Sequence, residues 1–264
     1  MSSMPRRSAL AGLATLLLVV FPGLQAVAAA PLCTAPTPID HLQGPLPHFA
    51  AKLAAREPIT IVAFGSSSTE GIGASARAFT YPSRLEADLT IALPRARIRV
   101  LNKGVGGERE AEMMRRFERD VIAEHPDLVI WQVGANAVID DDALRPDERL
   151  IRRGTERLKD AGIDVVLMDL QYSPEMLRHQ DYVRMESYIA AIGRELAVPV
   201  FRRFALMQHW IEAGAFDMAG MVAADGLHMN DASYGCLAQK LADALVADLA
   251  RGSVVADNRK TGGW

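Results

Sequence analysis

Four short segments hold residue types that together could carry out acyl transfer: Gly65-Ser66-Ser67-Ser68-Thr69, Asn102-Lys103-Gly104-Val105-Gly106-Gly107, Gly134-Ala135-Asn136 and Asp225-Gly226-Leu227-His228. Between them they offer a hydroxyl nucleophile, N–H donors for an oxyanion, an imidazole base and a carboxylate to orient that base. Each has a plainer reading taken alone. Serines cap turns, Gly107 suits a tight turn, Asn136 an Asx turn, and an Asp-x-x-His pair is commonly a capped surface loop. The combination, in this order along one chain, is what points to chemistry.

Asp225 and His228 are close enough in sequence for one turn to bring the carboxylate to one imidazole nitrogen while the other faces outward. The carboxylate would then fix the tautomer and stabilise the imidazolium formed when the ring takes a serine proton. His228 must be neutral to act, so activity should fall in acid. In the first segment Ser66, Ser67 and Ser68 all qualify on spacing alone. Gly107 can offer a backbone N–H and Asn136 its side-chain amide. Trp131, Gln171 and Tyr172 are candidates for the substrate pocket, or for packing, and specificity would lie in the loops 135–146 and 171–184.

Competing readings fail on spacing. No segment ends in the Gly-Lys-Ser/Thr of a phosphate loop, and Gly104-Val105-Gly106 is followed by Arg109 where a dinucleotide fingerprint needs its third glycine. The G-x-S-x-G elbow of α/β-hydrolases requires a glycine where Thr69 stands. No zinc-ligand spacing occurs, and the run Asp140-Asp141-Asp142 reads as a solvated loop. No metal or other cofactor is expected.

Such dispersed residues need a scaffold to gather them. Apolar, β-branched runs at 60–64, 98–101, 128–131, 165–168 and 198–201 predict five strands. They alternate with helical spacing over 82–93, 111–124, 147–161, 174–196 and 231–249. This alternation predicts an α/β fold: a parallel sheet covered by helices on both faces, with ligands at the carboxyl ends of the strands. All but the last chemical segment begin there.

With 264 residues, half of them hydrophobic, and a net charge of −3, the chain can bury one substantial core. No Lys/Arg block interleaves with aromatics, so a nucleic-acid surface is not expected. Residues 1–28 have the layout of a signal peptide: Arg6-Arg7, an apolar run over 9–21, then small residues around Ala26-Val27-Ala28. The protein is therefore expected to be exported, periplasmic or secreted, with no stable membrane insertion after cleavage. An uncleaved anchor is the other reading, although the run is short for a bilayer span. Residues 29–57 should form an N-terminal arm and first helix, 58–250 the main domain, and 251–264 a disordered polar tail. In an oxidising compartment Cys33 and Cys236 could pair, or remain unrelated thiols, and the sequence leaves both open.

The four segments resemble the blocks of the SGNH or GDSL-type hydrolases, named for their Ser, Gly, Asn and His, and the resemblance covers residues 59–249. It implies a flavodoxin-like three-layer α/β/α sandwich on the five-stranded parallel sheet. It also implies Ser67 as the nucleophile, Asp225 and His228 as its partners, and an oxyanion hole of the Ser67 and Gly107 N–H groups and the Asn136 amide. The implied substrate is an acyl ester, of a small molecule or a glycan. Two departures stand out: Ser66 occupies the aspartate position of Gly-Asp-Ser, and Ala137 follows the third-block asparagine where aspartate is usual. Neither removes a catalytic group, so they bear on loop geometry, activity level and substrate. Few aromatics and no long apolar lid lean toward short acyl groups, such as O-acetyl groups on glycans. Two further readings share the fold: a noncatalytic glycan-binding module, and an acyltransferase using the same triad with a sugar acceptor.

Overall fold

The computed structural model describes residues 33–261 except 38, 40 and 142, with side chains to Leu249. The expected signal segment 1–28 lies outside the described residues. Five strands form one parallel sheet: β1 (Pro58–Gly65), β2 (Arg97–Gly104), β3 (Leu128–Gln132), β4 (Asp164–Met168) and β5 (Val200–Phe201), in the order β2-β1-β3-β4-β5. The helices are α1 (Pro47–Ala54), α2 (Ser67–Glu70), α3 (Tyr81–Ala92), α4 (Glu110–Asp120), α5 (Ala135–Ile139), α6 (Arg145–Asp160), α7 (Tyr182–Leu196), α8 (Arg203–Glu212), α9 (Met218–Met221) and α10 (Asp231–Thr261).

Period-two alternation along the strands sorts the core into two layers. Ile59, Ile61 and Ala63 of β1, with Ile130 and Val166, face Phe49, Leu85, Leu206 and Leu237 from α1, α3, α8 and α10. Val62 and Phe64, with Val129, Trp131 and Leu167, face Met113, Phe117, Ile151 and Ile189 from α4, α6 and α7. The sheet is thus buried on both sides, as an all-parallel sheet must be. This is the three-layer α/β/α sandwich.

The order 2-1-3-4-5 reverses between β1 and β3, so the crevice outside their carboxyl ends is the natural place for a ligand. Gly65, at the end of β1, pairs with Gly104 at the end of β2, and Phe64 pairs with Trp131 of β3. Both glycines are required by closeness. A Cβ on Gly104 would lie 1.9 Å from the Glu70 backbone nitrogen, and one on Gly65 2.4 Å from Thr69 Oγ1.

Three segments differ from the sequence reading. The helix expected over 174–196 begins only at Tyr182, because upstream N–H groups bond elsewhere: Glu175 donates to the Gly226 carbonyl at 3.0 Å, and Met176 to Ser173 Oγ at 3.3 Å. The last strand is two residues long, since Pro199 has no N–H and contributes only the carbonyl that accepts from Leu167 at 3.0 Å. At the other end, α10 continues to Thr261 through most of the segment expected to be disordered, and no glycine or proline interrupts the sequence from Ser253 to Thr261.

The N-terminal arm is fastened to the domain. Cys33 and Cys236 form a disulfide that ties it to α10, the Thr34 carbonyl accepts from Trp210 Nε1, and Asp164 Oδ2 accepts the Phe49 N–H.

Candidate active site

Ser67 is the first residue of α2, where the turn after β1 sets the backbone, and its N–H has no acceptor within the helix. Its Oγ lies 2.7 Å from His228 Nε2. On the far side of the ring, His228 Nδ1 lies 2.6 Å from Asp225 Oδ2. Of the three neighbouring serines only Ser67 meets the imidazole. Ser66 is turned inward, where its hydroxyl and its N–H both donate to Gln132 Oε1, at 2.9 and 2.8 Å, and Ser68 is 2% exposed.

The Asp225–His228 loop is stiffened by its own backbone. A bridge between Val222 and Met229 closes it, Ala223 donates its N–H to the His228 carbonyl at 2.7 Å, and Gly226 makes the turn at φ 72°. Asp225 Oδ1 accepts the N–H groups of Leu227 and His228 at 2.9 and 3.0 Å, which leaves Oδ2 for the ring. Partial burial alone would raise the Asp225 carboxyl, yet these N–H donors and the imidazole outweigh it and hold the group below its ordinary value. It therefore stays ionised. The turn before α3 presses on the same loop: a Cβ on Gly73 would strike the Met229 carbonyl, and Ser75 donates through N–H and hydroxyl to Asp231.

Gly106 lies beside the serine. Gly106 donates its N–H to Glu70 Oε2 at 2.7 Å, and a Cβ there would be 3.8 Å from Ser67 Cβ. Gly107 takes φ 76°, with open space where a side chain would go. Asn136 stands in the first turn of α5 and donates one Nδ2 hydrogen to the Glu108 carbonyl at 2.8 Å. That bond fixes the amide and leaves its second hydrogen to point elsewhere.

Gln171 and Tyr172 are placed differently from open pocket residues. Gln171 is 2% exposed and its Oε1 accepts from Arg203 at 2.9 Å, while Tyr172 packs edge-on against Phe204. Trp131 is fully buried among Phe64 and Phe117. In the acidic run, Asp140 lies 3.7 Å from Arg109, and Asp141 pairs with His179 at 2.8 Å.

Several residues that hold this site together are not evident from the sequence. Arg116 is buried and reaches the ends of two strands, donating to the Gly65 and Lys103 carbonyls at 3.0 and 2.8 Å and to Glu108 Oε2 at 2.5 Å. Glu110 is 1% exposed and accepts the Gly134 N–H at 2.6 Å. Burial, with a smaller push from nearby Asp147, raises its carboxyl to about 7 against the pull of that N–H. The charged stretch Glu108 to Asp120 reads in sequence as one solvated helix face, so no local signal separates these residues from the rest.

A model of the Non-GDSL lipase-like family matches residues 32–251. The chain belongs to that family. No curated protein sequence matches it. Among solved structures, a two-domain esterase active on acetylated mannans superimposes with a TM-score of 0.67 at 19% identity, covering 80% of this chain and 56% of its own. The present chain thus spans just over half the length of that esterase. A lipolytic protein of the G-D-S-L family from Desulfitobacterium hafniense gives 0.60 at 20% identity, covering 70% and 98%, and an acetyl xylan esterase gives 0.61 at 19%, covering 70% and 99%. At such identities the likeness is one of fold. In this Non-GDSL lipase-like chain the first block reads Gly65-Ser66-Ser67, so Gln132 meets a serine hydroxyl where the GDSL motif would present a carboxylate.

Proposed function

We propose that the protein is an exported carboxylic ester hydrolase in which Ser67 is the nucleophile. The single observation that carries this reading is the continuous relay from Ser67 Oγ to His228 Nε2, at 2.7 Å, and from His228 Nδ1 to Asp225 Oδ2, at 2.6 Å. In the proposed reaction Ser67 Oγ attacks the ester carbonyl as His228 takes its proton, and Asp225 stabilises the imidazolium. The carbonyl oxygen becomes an oxyanion facing the N–H groups of Ser67 and Gly107 and the Asn136 amide. Collapse breaks the ester C–O bond and His228 protonates the leaving alcohol. Water then attacks the acyl-serine by the same route, releasing the acid and restoring the Ser67 hydroxyl.

Short acyl groups on glycans, O-acetyl groups in particular, are the proposed substrates. The mannan and xylan acetyl esterases that share the fold support this, as do the scarcity of aromatics and the open setting of Gly107. The signal layout of residues 1–28 and the Cys33–Cys236 disulfide support export to the periplasm or beyond. Hydrolysis of aryl esters from acetyl to decanoyl, alongside acetate release from acetylated mannan and xylan, tests the reading. Activity confined to short chains and acetylated polymer is expected. Equal or better turnover of long chains would overturn the acyl-length reading, and a folded Ser67→Ala protein with wild-type rates would overturn the nucleophile.

A further inference from the structure

Asn136 needs a fixed amide if it is to meet an oxyanion, yet its own block lacks a carboxylate to hold it: Ala137 follows it and is fully buried. Its helix α5 is only five residues long and has no side-chain cap. So short a helix is not stable by itself and takes its position from neighbours. Besides α7, which packs against it, those neighbours include three consecutive residues leading into α4. The Glu108 carbonyl accepts from Asn136 Nδ2 at 2.8 Å, Glu110 Oε1 accepts the Gly134 N–H at 2.6 Å, and Arg109 reaches Asp140 at the far end of α5, 3.7 Å away.

Of these contacts the Glu110 carboxyl is the costly one. It is 1% exposed, its Oε2 meets no hydrogen-bond donor, and the charge acting on it is a second carboxylate, Asp147, itself paired with Arg109 at 2.6 Å. Burying a carboxyl in this way is unfavourable, and such groups cluster where a site needs them. Gly134, the residue it holds, takes φ 86° and opens α5 two residues before Asn136. The Gly134 backbone is also confined from behind, since a Cβ there would lie 2.7 Å from Met185.

We propose that Glu110 is the positioning residue of the oxyanion hole: by accepting the Gly134 N–H it sets the first turn of α5 and so aims the Asn136 amide at the reacting carbonyl. This rests on the esterase reading, with Asn136 as an oxyanion donor. Glu110 touches no substrate atom. Its loss should appear in the chemical step and act through Asn136, whereas a merely structural carboxylate would lower stability without that coupling.

The test is a double-mutant cycle on ester hydrolysis with the full-length mature enzyme, using Glu110→Ala, Asn136→Ala and both together, with Ser67→Ala as control. Asn136→Ala should lower kcat by about 100-fold or more, the usual effect of losing one oxyanion donor. Glu110→Ala should lower kcat by about 10- to 100-fold with KM within about three-fold, as losses of supporting residues do. In the Asn136→Ala background the same change should cost less than about three-fold. Glu110→Gln keeps an oxygen for the Gly134 N–H and should recover most of the loss. If Glu110→Ala does not fold, Glu110→Asp, one methylene shorter, should show the same kcat-only loss and the same coupling to a smaller degree.

A Glu110→Ala enzyme with kcat within two-fold of wild type, or a Glu110→Asp enzyme with unchanged kcat where the alanine variant does not fold, overturns the inference, as does the same loss with and without Asn136. An Asn136→Ala enzyme with full kcat, or an active Ser67→Ala, overturns the underlying esterase reading, and the inference with it.

Discussion

Ser66 and Gln132 are joined by two hydrogen bonds to a single atom: the Ser66 hydroxyl and backbone N–H both donate to Gln132 Oε1, at 2.9 and 2.8 Å. The residue beside the proposed nucleophile is therefore a tether, binding the end of β1 to the end of β3. Its neighbour Ser67 turns the other way, to His228. Ser66→Ala should keep kcat within about five-fold of wild type and reduce stability by about 1 kcal/mol, the usual worth of one such hydrogen bond. Ser67→Ala should abolish turnover in a protein of unchanged stability. Rates on a short-chain ester and urea unfolding of both variants check this. The reverse pattern would move the nucleophile to Ser66.

Asp225 divides its labour between its two oxygens, one for the loop N–H groups and one for the imidazole. In Asp225→Asn the amide oxygen can still accept from the backbone, but an NH2 group then faces His228 Nδ1. The ring is forced into the tautomer with hydrogen on Nε2, which cannot take a proton from Ser67. We expect kcat to fall by about 10³- to 10⁴-fold with a native circular dichroism spectrum, the size of effect known for a triad carboxylate turned to amide. A loss under ten-fold would count against Asp225 as the orienting group.

How much of this was legible follows from range. The strands announce themselves because a two-sided core demands unbroken apolar runs such as Ile61 to Phe64, and Asp225 with His228 is visible because the pair is local. By contrast, α5 is too short to carry a helical period, and its position comes from contacts with residues more than twenty positions away. Glu110 and Arg116 look like solvent-facing charges because the contacts that draw them to the site are with main-chain groups of Gly134, Gly65 and Lys103, which have no residue signature, while the side-chain partners of Arg116, Glu108 and Asp120, are local. Among Ser66, Ser67 and Ser68 the spacing leaves all three open, and only the turn at the end of β1 distinguishes them.

Stability should fall as pH rises toward neutrality. Burial raises the carboxyls of Asp164 and Asp169 from 3.8 to about 6 and that of Glu110 from 4.5 to about 7, and it raises Glu186 as well. In each the folded value lies above the unfolded one, so the fold favours the protonated form. The stability they contribute is fully present below about pH 4 and is lost as pH rises through 6 to 7. His179, raised by its bond to Asp141, acts in the same sense. Asp120, held down at about 2, titrates below this window and does not oppose it. Tm should therefore decline from pH 5 to pH 8. Calorimetry at a series of pH values checks this, and a Tm that climbs with pH would contradict it.

The Cys33–Cys236 disulfide closes a loop of 203 residues between the N-terminal arm and α10. A closure of that length removes conformational freedom from the unfolded chain worth about 5 kcal/mol in the chain-entropy model. The bond joins the arm to the second turn of α10, whereas the relay is held by the backbone hydrogen bonds of its own loop, so the bond should govern stability and leave the geometry of the relay alone. Reduction under mild conditions, or Cys33→Ser with Cys236→Ser, is expected to lower Tm by roughly 10–20 °C, given about 2–4 °C per kcal/mol for a domain of this size. At 20 °C the reduced enzyme should keep wild-type kcat. A change in Tm under about 2 °C would mean that the arm adds little to the fold, and a parallel loss of kcat at low temperature would mean that the arm reaches the site through α10.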